Sequence, residues 1–286
     1  MPRFEYLSPN TIDEAAGLLT KYREKARLIA GGTDLIPKLK RRAITAPELL
    51  IDIKDIPGLD YIKYQKGNGL AIGALATMAE IEKSVVIKEK YSILFQAAES
   101  MASPQVRHRG TLAGNICNAV PSADTAPPLL VLEAKVKLIG KKGERIVKIA
   151  DFFKGPGETV LRPEEILAEI QIPELPAGSR GKYIKLSPRR AMDLAVVGVA
   201  VLIIPDRDRY SEVRIALGAV SPTPVRATAA ENLLRGQKPD AGLIEQAADA
   251  AAINCRPISD HRASAEYRRD MVKVLTKRAI TELWTQ

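Results

Sequence analysis

The first periodic stretch of the chain is helical. Thr11-Ile12-Asp13-Glu14 has the form of a capping box, with Thr11 as N-cap and Glu14 at the third helical position. Ala15, Leu18, Leu19 and Tyr22 then recur at helical spacing, which predicts an amphipathic helix from Thr11 to about Glu24. Arg27 to Ala30 is a short apolar strand that runs straight into Gly31-Gly32. Thr33 to Arg42 reads as a helix in which Pro37 is tolerated in the first turn, and Leu49 to Ile53 as the next strand. Helix, strand, turn, helix and strand in that order make a βαβ unit with parallel strands.

From Tyr61 the period changes. Tyr61 to Tyr64 and Leu70 to Gly73 flank Gly67-Asn68-Gly69, a turn that suits an antiparallel hairpin. Met78 to Lys83 and Ile87 to Met101 read as helices, the second with Tyr91, Leu94, Phe95 and Ala98 on one face. Arg107 to Thr125 has no period; it gathers Gly110, Gly114, Asn115 and Asp124 into one turn-rich loop, with a helix starting near Asp124 or Pro127. Strands are expected over Lys135 to Ile139, Glu144 to Ile149 and Glu165 to Ile172, and Pro173 to Gly181 is the best linker. Three strands (Lys182 to Leu186, Leu194 to Ile204, Ser211 to Val220) and three helices (Arg226 to Leu234, Gly242 to Asn254, His261 to Trp284) then suggest a second domain.

Composition narrows the class. At 286 residues and 46% apolar, the chain has room for two domains with a sizeable core. Its longest apolar run, Leu194 to Pro205, has the length of a buried strand and falls short of the roughly 18 to 20 residues of a membrane span. The first twenty residues carry Glu5, Asp13 and Glu14 and no apolar segment of the secretory kind. Cys117 and Cys255 are the two cysteines, which fits a reducing, cytoplasmic setting and excludes a four-cysteine metal site within this chain. The net charge of +9 raises the question of nucleic acid, yet Tyr267 is the one aromatic residue inside the basic runs. That is too few for a row of stacking platforms, so a basic face towards solvent or a partner is expected instead.

Two small-residue turns carry the candidate chemistry. Gly31-Gly32 sits where a strand gives way to a helix, and Thr111 to Asn115 has the same character. Such turns let backbone come close to a ligand and present successive N–H groups to an anion. The first is not the dinucleotide fingerprint: no third glycine follows at the required spacing, and Asp52 is only a loose match for the acidic residue. A Gly-Gly pair alone is equally a tight turn. Asp34 reads as a helix-terminus carboxylate whose charge would repel a phosphate.

Taken together, Ala30-Gly31-Gly32-Thr33-Asp34-Leu35 and Thr111-Leu112-Ala113-Gly114-Asn115-Ile116 resemble the two flavin-binding signatures of the medium, FAD-binding subunit of molybdenum hydroxylases. That family includes xanthine dehydrogenases and aerobic carbon monoxide dehydrogenases. The resemblance continues through Pro121 to Asp124, Leu161 to Leu167, Lys185 to Arg190, Met192 to Ala195, Gly218 to Arg226 and Arg262 to Arg268, and so spans nearly the whole chain in order. It implies an α+β fold: a two-part FAD-binding domain (a small α/β subdomain over 1–56, a larger antiparallel-sheet subdomain over 57–175) and a C-terminal three-stranded-sheet-plus-helices domain over 176–286.

It also implies roles. Ala30, Gly31, Gly32, Thr33, Asp34 and Leu35, with Thr111, Ala113, Gly114 and Asn115, would wrap the FAD pyrophosphate, largely through backbone N–H groups. Asp124 would bond the ribose or adenine end, Leu167 would line the flavin ring and Lys185 would approach its polar edge. Arg107, His108 and Arg109 could neutralise the pyrophosphate, face a partner or face solvent. Ala113 stands where many relatives carry glycine, and the chain lacks the cysteines for the iron–sulfur cluster of the hydroxybenzoyl-CoA type. No catalytic dyad and no metal site are expected.

The function so implied is an oxidoreductase subunit that transfers electrons. Its partners would be a large molybdenum-cofactor subunit, a small [2Fe–2S] subunit and an external electron acceptor. A free-standing FAD-dependent oxidoreductase and a basic, non-enzymatic binding module remain the alternatives.

Overall fold

A computed structural model describes residues 2–189 and 191–285 as three layers of structure around three apolar clusters. The first comprises β1 (Glu5–Leu7), α1 (Ile12–Tyr22), β2 (Ala26–Ile29), α2 (Leu35–Lys40) and β3 (Leu49–Asp52). Its strands are parallel in the order β1-β3-β2. Thr11 caps α1 as expected, its Oγ1 accepting from Glu14 N at 3.1 Å, but the reciprocal bond slips one residue and the Glu14 carboxylate accepts from Asn10 N at 2.9 Å. Ala15, Ala16 and Leu19 on α1 pack on Leu49 and Ile51 of β3.

The second part is built on five antiparallel strands: β4 (Ile62–Gln65), β5 (Gly69–Gly73), β6 (Lys135–Gly140), β7 (Gly143–Lys148) and, after a small ribbon of β8 (Phe153–Gly155) and β9 (Glu158–Thr159), β10 (Ile166–Ile172). The order is β4-β5-β10-β6-β7. Between β5 and β6 run α3 (Met78–Lys83), α4 (Val85–Lys90), α5 (Ser92–Ser100), α6 (Pro104–Arg107), α7 (Leu112–Asn118) and α8 (Ala126–Val131). The helix expected over Ile87 to Met101 is thus two, broken at Tyr91 (φ −133°, ψ 45°), whose ring is buried and whose hydroxyl donates to Pro173 O at 3.2 Å. The aperiodic loop holds one short helix, α7, between the end of α6 and the start of α8. Leu112 and Ile116 on α7 are fully buried, so tertiary packing supplies what the Gly and Asn content withholds.

The third part has β11 (Arg180–Leu186), β12 (Val197–Asp206), β13 (Arg209–Gly218) and β14 (Val225–Arg226), followed by α9 (Thr228–Leu234), α10 (Ala241–Ile253) and α11 (Ala265–Trp284). The expected three-stranded sheet carries a fourth strand, the two-residue β14 at its edge. The final helix starts at Ala265, four residues after the expected His261, because the Ser264 hydroxyl accepts from Tyr267 N at 3.1 Å and caps it there. Both faces of this sheet are covered. Val199, Val201 and Ile203 pack on α9 to α11, while Ala200 and Leu202 pack with Leu94 and Leu129 of the second part. Each fully buried Val, Leu or Ile contributes about 1.5–3 kcal/mol, so Val199, Val201 and Ile203 fasten the sheet to its own helices while Leu202, beside Ala200, joins the third part to the second.

Candidate functional site

All three parts border one cleft of about 1330 Å³. Sites for small ligands commonly measure roughly 300 to 1,000 Å³, so this one suits something longer, of dinucleotide size. Ala30 to Leu35, Thr111, Ala113, Gly114, Asn115, Asp124 and Leu167 all line it.

The chain reaches the cleft at the C-terminal end of β2. There Gly32 adopts φ +71°, the left-handed conformation that glycine takes without steric cost. At Gly31 a Cβ would lie 1.9 Å from Arg109 O and 2.9 Å from Gly110 Cα, so glycine here lets the two loops touch backbone to backbone. The second loop is fixed from behind by Met78 N donating to Gly110 O at 2.9 Å and Leu112 N donating to Ala76 O at 3.2 Å. Thr111 caps α7, its Oγ1 accepting from Gly114 N at 3.0 Å. A Cβ on Gly114 would crowd that hydroxyl at 2.8 Å.

Among the described residues, the N–H groups of Gly31, Gly32, Thr33 and Asp34 have no hydrogen-bond acceptor. Four consecutive free donors beside a helix start are a donor set for phosphate oxygens. Asn115 faces the same space; its Oδ1 accepts from the Thr125 hydroxyl at 2.6 Å, which leaves its amide nitrogen as the free end. Asp34 is exposed and its side chain caps nothing.

Asp124 and Lys185, expected as two separate ligand contacts, meet each other. Lys185 Nζ lies 2.8 Å from Asp124 Oδ2, the Tyr183 hydroxyl donates to Asp124 Oδ1 at 2.9 Å, and Nζ also donates to Ser100 O at 3.2 Å. Both charged side chains are under 10% exposed. Burial pushes the Asp124 carboxyl up, against the pull of Lys185 and Tyr183; burial, then Asp124, pushes the Tyr183 phenol well up. Lys185 therefore stands behind Asp124 rather than on the cleft wall. Tyr183, which the sequence reading did not single out, completes the network. Leu167 lies buried on β10 just before a register shift in its pairing with β6.

Three other candidates are engaged elsewhere. Arg107 donates through Nε and Nη2 to the Glu82 carboxylate at 2.7 and 3.3 Å and through Nη1 to Met101 O at 2.9 Å, so it braces the loop instead of facing a phosphate. His108 Nδ1 lies 2.7 Å from Pro104 O. The Asp52 carboxylate accepts from the Tyr6 hydroxyl and from Lys54 N at 3.0 Å and pairs with Lys54 Nζ at 2.6 Å. Cys117 lines the cleft as a neutral thiol, its pKa pushed up to about 12 by burial. Among the described residues, no cluster of three or more His, Cys, Asp or Glu could hold a metal ion.

The far wall was not legible in the sequence as part of a site. Pro188, Arg189, Met192 and Leu194 from the segment after β11, with His261 and Arg262 before α11, close the cleft from the third part. Met192 N donates to Ala102 O at 3.3 Å, and both residues have positive φ. Lys38 and Asn118 also line the space, on the faces of α2 and α7 that follow the two loops.

This geometry is matched by known proteins along its whole length. Residues 2–175 fit the family model of the FAD binding domain in molybdopterin dehydrogenase, and residues 182–283 that of the CO dehydrogenase flavoprotein C-terminal domain. The chain is 36% identical over 285 residues to the carbon monoxide dehydrogenase medium chain of Hydrogenophaga pseudoflava, covering 100% of this chain and 98% of that one. It is 36% identical over 282 residues to the glyceraldehyde dehydrogenase medium chain of Sulfolobus acidocaldarius, covering 99% of each. A solved structure of carbon monoxide dehydrogenase from Hydrogenophaga pseudoflava superposes with a TM-score of 0.96 at 37% identity, over 99% of this chain and 98% of that chain. The chain belongs to the family of FAD-binding medium chains of molybdopterin dehydrogenases of the carbon monoxide and xanthine dehydrogenase type.

Proposed function

We propose that this chain holds FAD in the cleft and serves as the electron-transfer subunit of a molybdenum hydroxylase. The observation that carries the reading is the meeting of the two glycine loops, with four free N–H donors on one and a capped glycine helix start on the other. The donor set fits a pyrophosphate: it is backbone-built, neutral and concave. When bound, FAD supplies the capacity to take up electrons singly and release them as a pair.

The chain's own residues bind and position. The N–H groups of Gly31 to Asp34 on one loop, and those of Thr111 and Ala113 with the Asn115 side-chain amide on the other, donate to the two phosphoryl groups. Leu112, Gly114 and Asn115 keep their backbone N–H groups in bonds that hold the second loop in shape, and Ala30 and Leu35 shape the walls. Leu167 gives an apolar face for the ring, and Pro188, Arg189, Met192 and Leu194 cover the cleft from the opposite side. Asp124 keeps lone pairs on both oxygens beyond the bonds from Tyr183 and Lys185, and offers them to hydroxyl or amine donors. Lys185 acts through Asp124 by holding that carboxylate in place. Residues 1–175 form the cofactor domain and 176–286 close it. A large molybdenum-cofactor subunit and a small [2Fe–2S] subunit supply the electrons, an external acceptor removes them, and the assembly is cytoplasmic. No helix among the described residues is long and apolar enough to cross a membrane.

The test is spectroscopic. The purified chain is expected to show a flavin absorption band and to release FAD, rather than a shorter flavin, on denaturation. A folded chain that cannot be loaded with FAD contradicts the proposal.

A further inference from the structure

A bridge crosses the cleft next to the two loops. Lys38 Nζ donates to Asn118 Oδ1 at 2.5 Å, joining residues 80 apart in sequence. Lys38 follows Asp34 by four positions and Leu35 by three; Asn118 follows Gly114 by four and Asn115 by three. Residues at those spacings share a helix face, and all six line the cleft. Side chains on a helix lean towards its N-terminus, so the ammonium and the amide each lean back over the loop that starts their own helix. The bridge therefore lies over the strip where Gly31 to Asp34 and Thr111 to Asn115 converge.

The ammonium is under-used there. It has three donors, and among the described residues Asn118 is its one hydrogen-bond partner, with no carboxylate within 4.0 Å. Arg189 and Arg262, on the far wall, are by contrast paired with Asp193 and Asp260. The free N–H groups of the loops carry no net charge, and the nearby Asp34 is negative. A dianionic pyrophosphate seated on those donors has Lys38 as the cation placed to meet it.

We propose that Lys38 binds a phosphoryl oxygen of the cleft's nucleotide ligand, with Asn118 orienting the ammonium towards it. This rests on the FAD reading for the identity of the ligand, but the contact itself is to phosphate. A plain strut between two parts of the chain would need nothing beyond Asn118. A phosphate contact makes ligand binding depend on the charge of residue 38, on ionic strength and on the presence of phosphate in the ligand.

The experiment compares FAD, ADP and adenosine binding to the flavin-free full chain by titration calorimetry at two salt concentrations. Lys38→Met is expected to weaken FAD and ADP by about tenfold to a hundredfold, to flatten the salt dependence of ADP binding and to leave adenosine unchanged. Lys38→Arg is expected to recover most of the loss, and Asn118→Ala to cost less than Lys38→Met. Unfolding midpoints confirm that each variant is folded; Lys38→Gln serves where the methionine variant is not. ADP affinity and salt slope unchanged in Lys38→Met overturn the inference, and so does an equal loss for ADP and adenosine, which is the signature of a strut. A wild-type chain that binds ADP but not FAD overturns the flavin reading and supports the phosphate contact; one that binds neither overturns both.

Discussion

Replacing Gly31 with alanine tests whether contact between the two loops is what makes the site. The added methyl would sit 1.9 Å from Arg109 O, where ordinary contact begins at 3.4 Å. The obstacle is backbone on both sides, so no side chain can swing away, and the loops must part by about 1.5 Å along that line. Overpacking of this kind costs about 1–3 kcal/mol in stability. The consequence for binding is separate. Hydrogen bonds to a phosphoryl group tolerate only a few tenths of an ångström around 2.9 Å, so a ligand spanning both loops keeps one set of donors and loses the other. Losing charge-assisted bonds worth about 1.5–3 kcal/mol corresponds to roughly tenfold to hundredfold weaker FAD. The assay is a fluorescence titration of the flavin-free chain with FAD, beside urea unfolding of the same samples. Gly58→Ala is the control: it has φ +74° but nothing within 4 Å of the new methyl, so it is expected to lose about 1–2 kcal/mol of stability and no FAD affinity. A Gly31→Ala chain that is destabilised yet binds FAD as the wild type does would refute the reasoning.

Further outcomes follow from the same geometry. Asp124→Asn leaves Lys185 buried without its counter-ion and is expected to cost about 3–5 kcal/mol in urea unfolding; adding Lys185→Met should restore a large part, whereas additive losses would show the pair is not coupled. Arg107→Ala is expected to lower stability through the lost Glu82 contact while FAD affinity stays within about twofold; a larger loss of FAD at unchanged stability would contradict the bracing role. Arg145 holds the Glu165 carboxyl below the usual carboxylate range, first through their hydrogen bonds. A depressed carboxylate contributes stability above its unfolded pKa of about 4.3 and loses it as pH falls through the folded value. Arg145→Met should therefore move the acid-unfolding midpoint to higher pH; an unmoved midpoint would count against the pair.

What could be read in the sequence was what short-range periodicity carries. The capped α1, the strand into Gly31-Gly32 and the hairpin at Gly67 to Gly69 each follow from neighbours within a few residues. β1 was illegible because Glu5, Tyr6 and Leu7 are all exposed and become a strand only through pairing with β3. α7 is not legible as a helix because Gly114, Asn115 and Asn118 are poor helix formers, and the burial of Leu112 and Ile116 that compensates is a tertiary fact. The glycine loops were visible as small-residue turns, but not the reason for Gly31, which is the backbone of Arg109 some eighty residues on. Asp124 and Lys185 were each picked out while their mutual bond was not, since a pairing over 61 residues leaves no local trace. The far wall of the cleft stayed hidden for the same reason.

The central claim is that the two loops together grip the pyrophosphate of FAD. An experimental structure of the FAD-loaded chain measures this directly. The pyrophosphate is expected between Gly31 to Asp34 and Thr111 to Asn115, with phosphoryl oxygens at hydrogen-bond distance, about 2.7–3.2 Å, from backbone N–H groups of both loops. FAD bound elsewhere, or in this cleft with its phosphates turned to solvent, would contradict it.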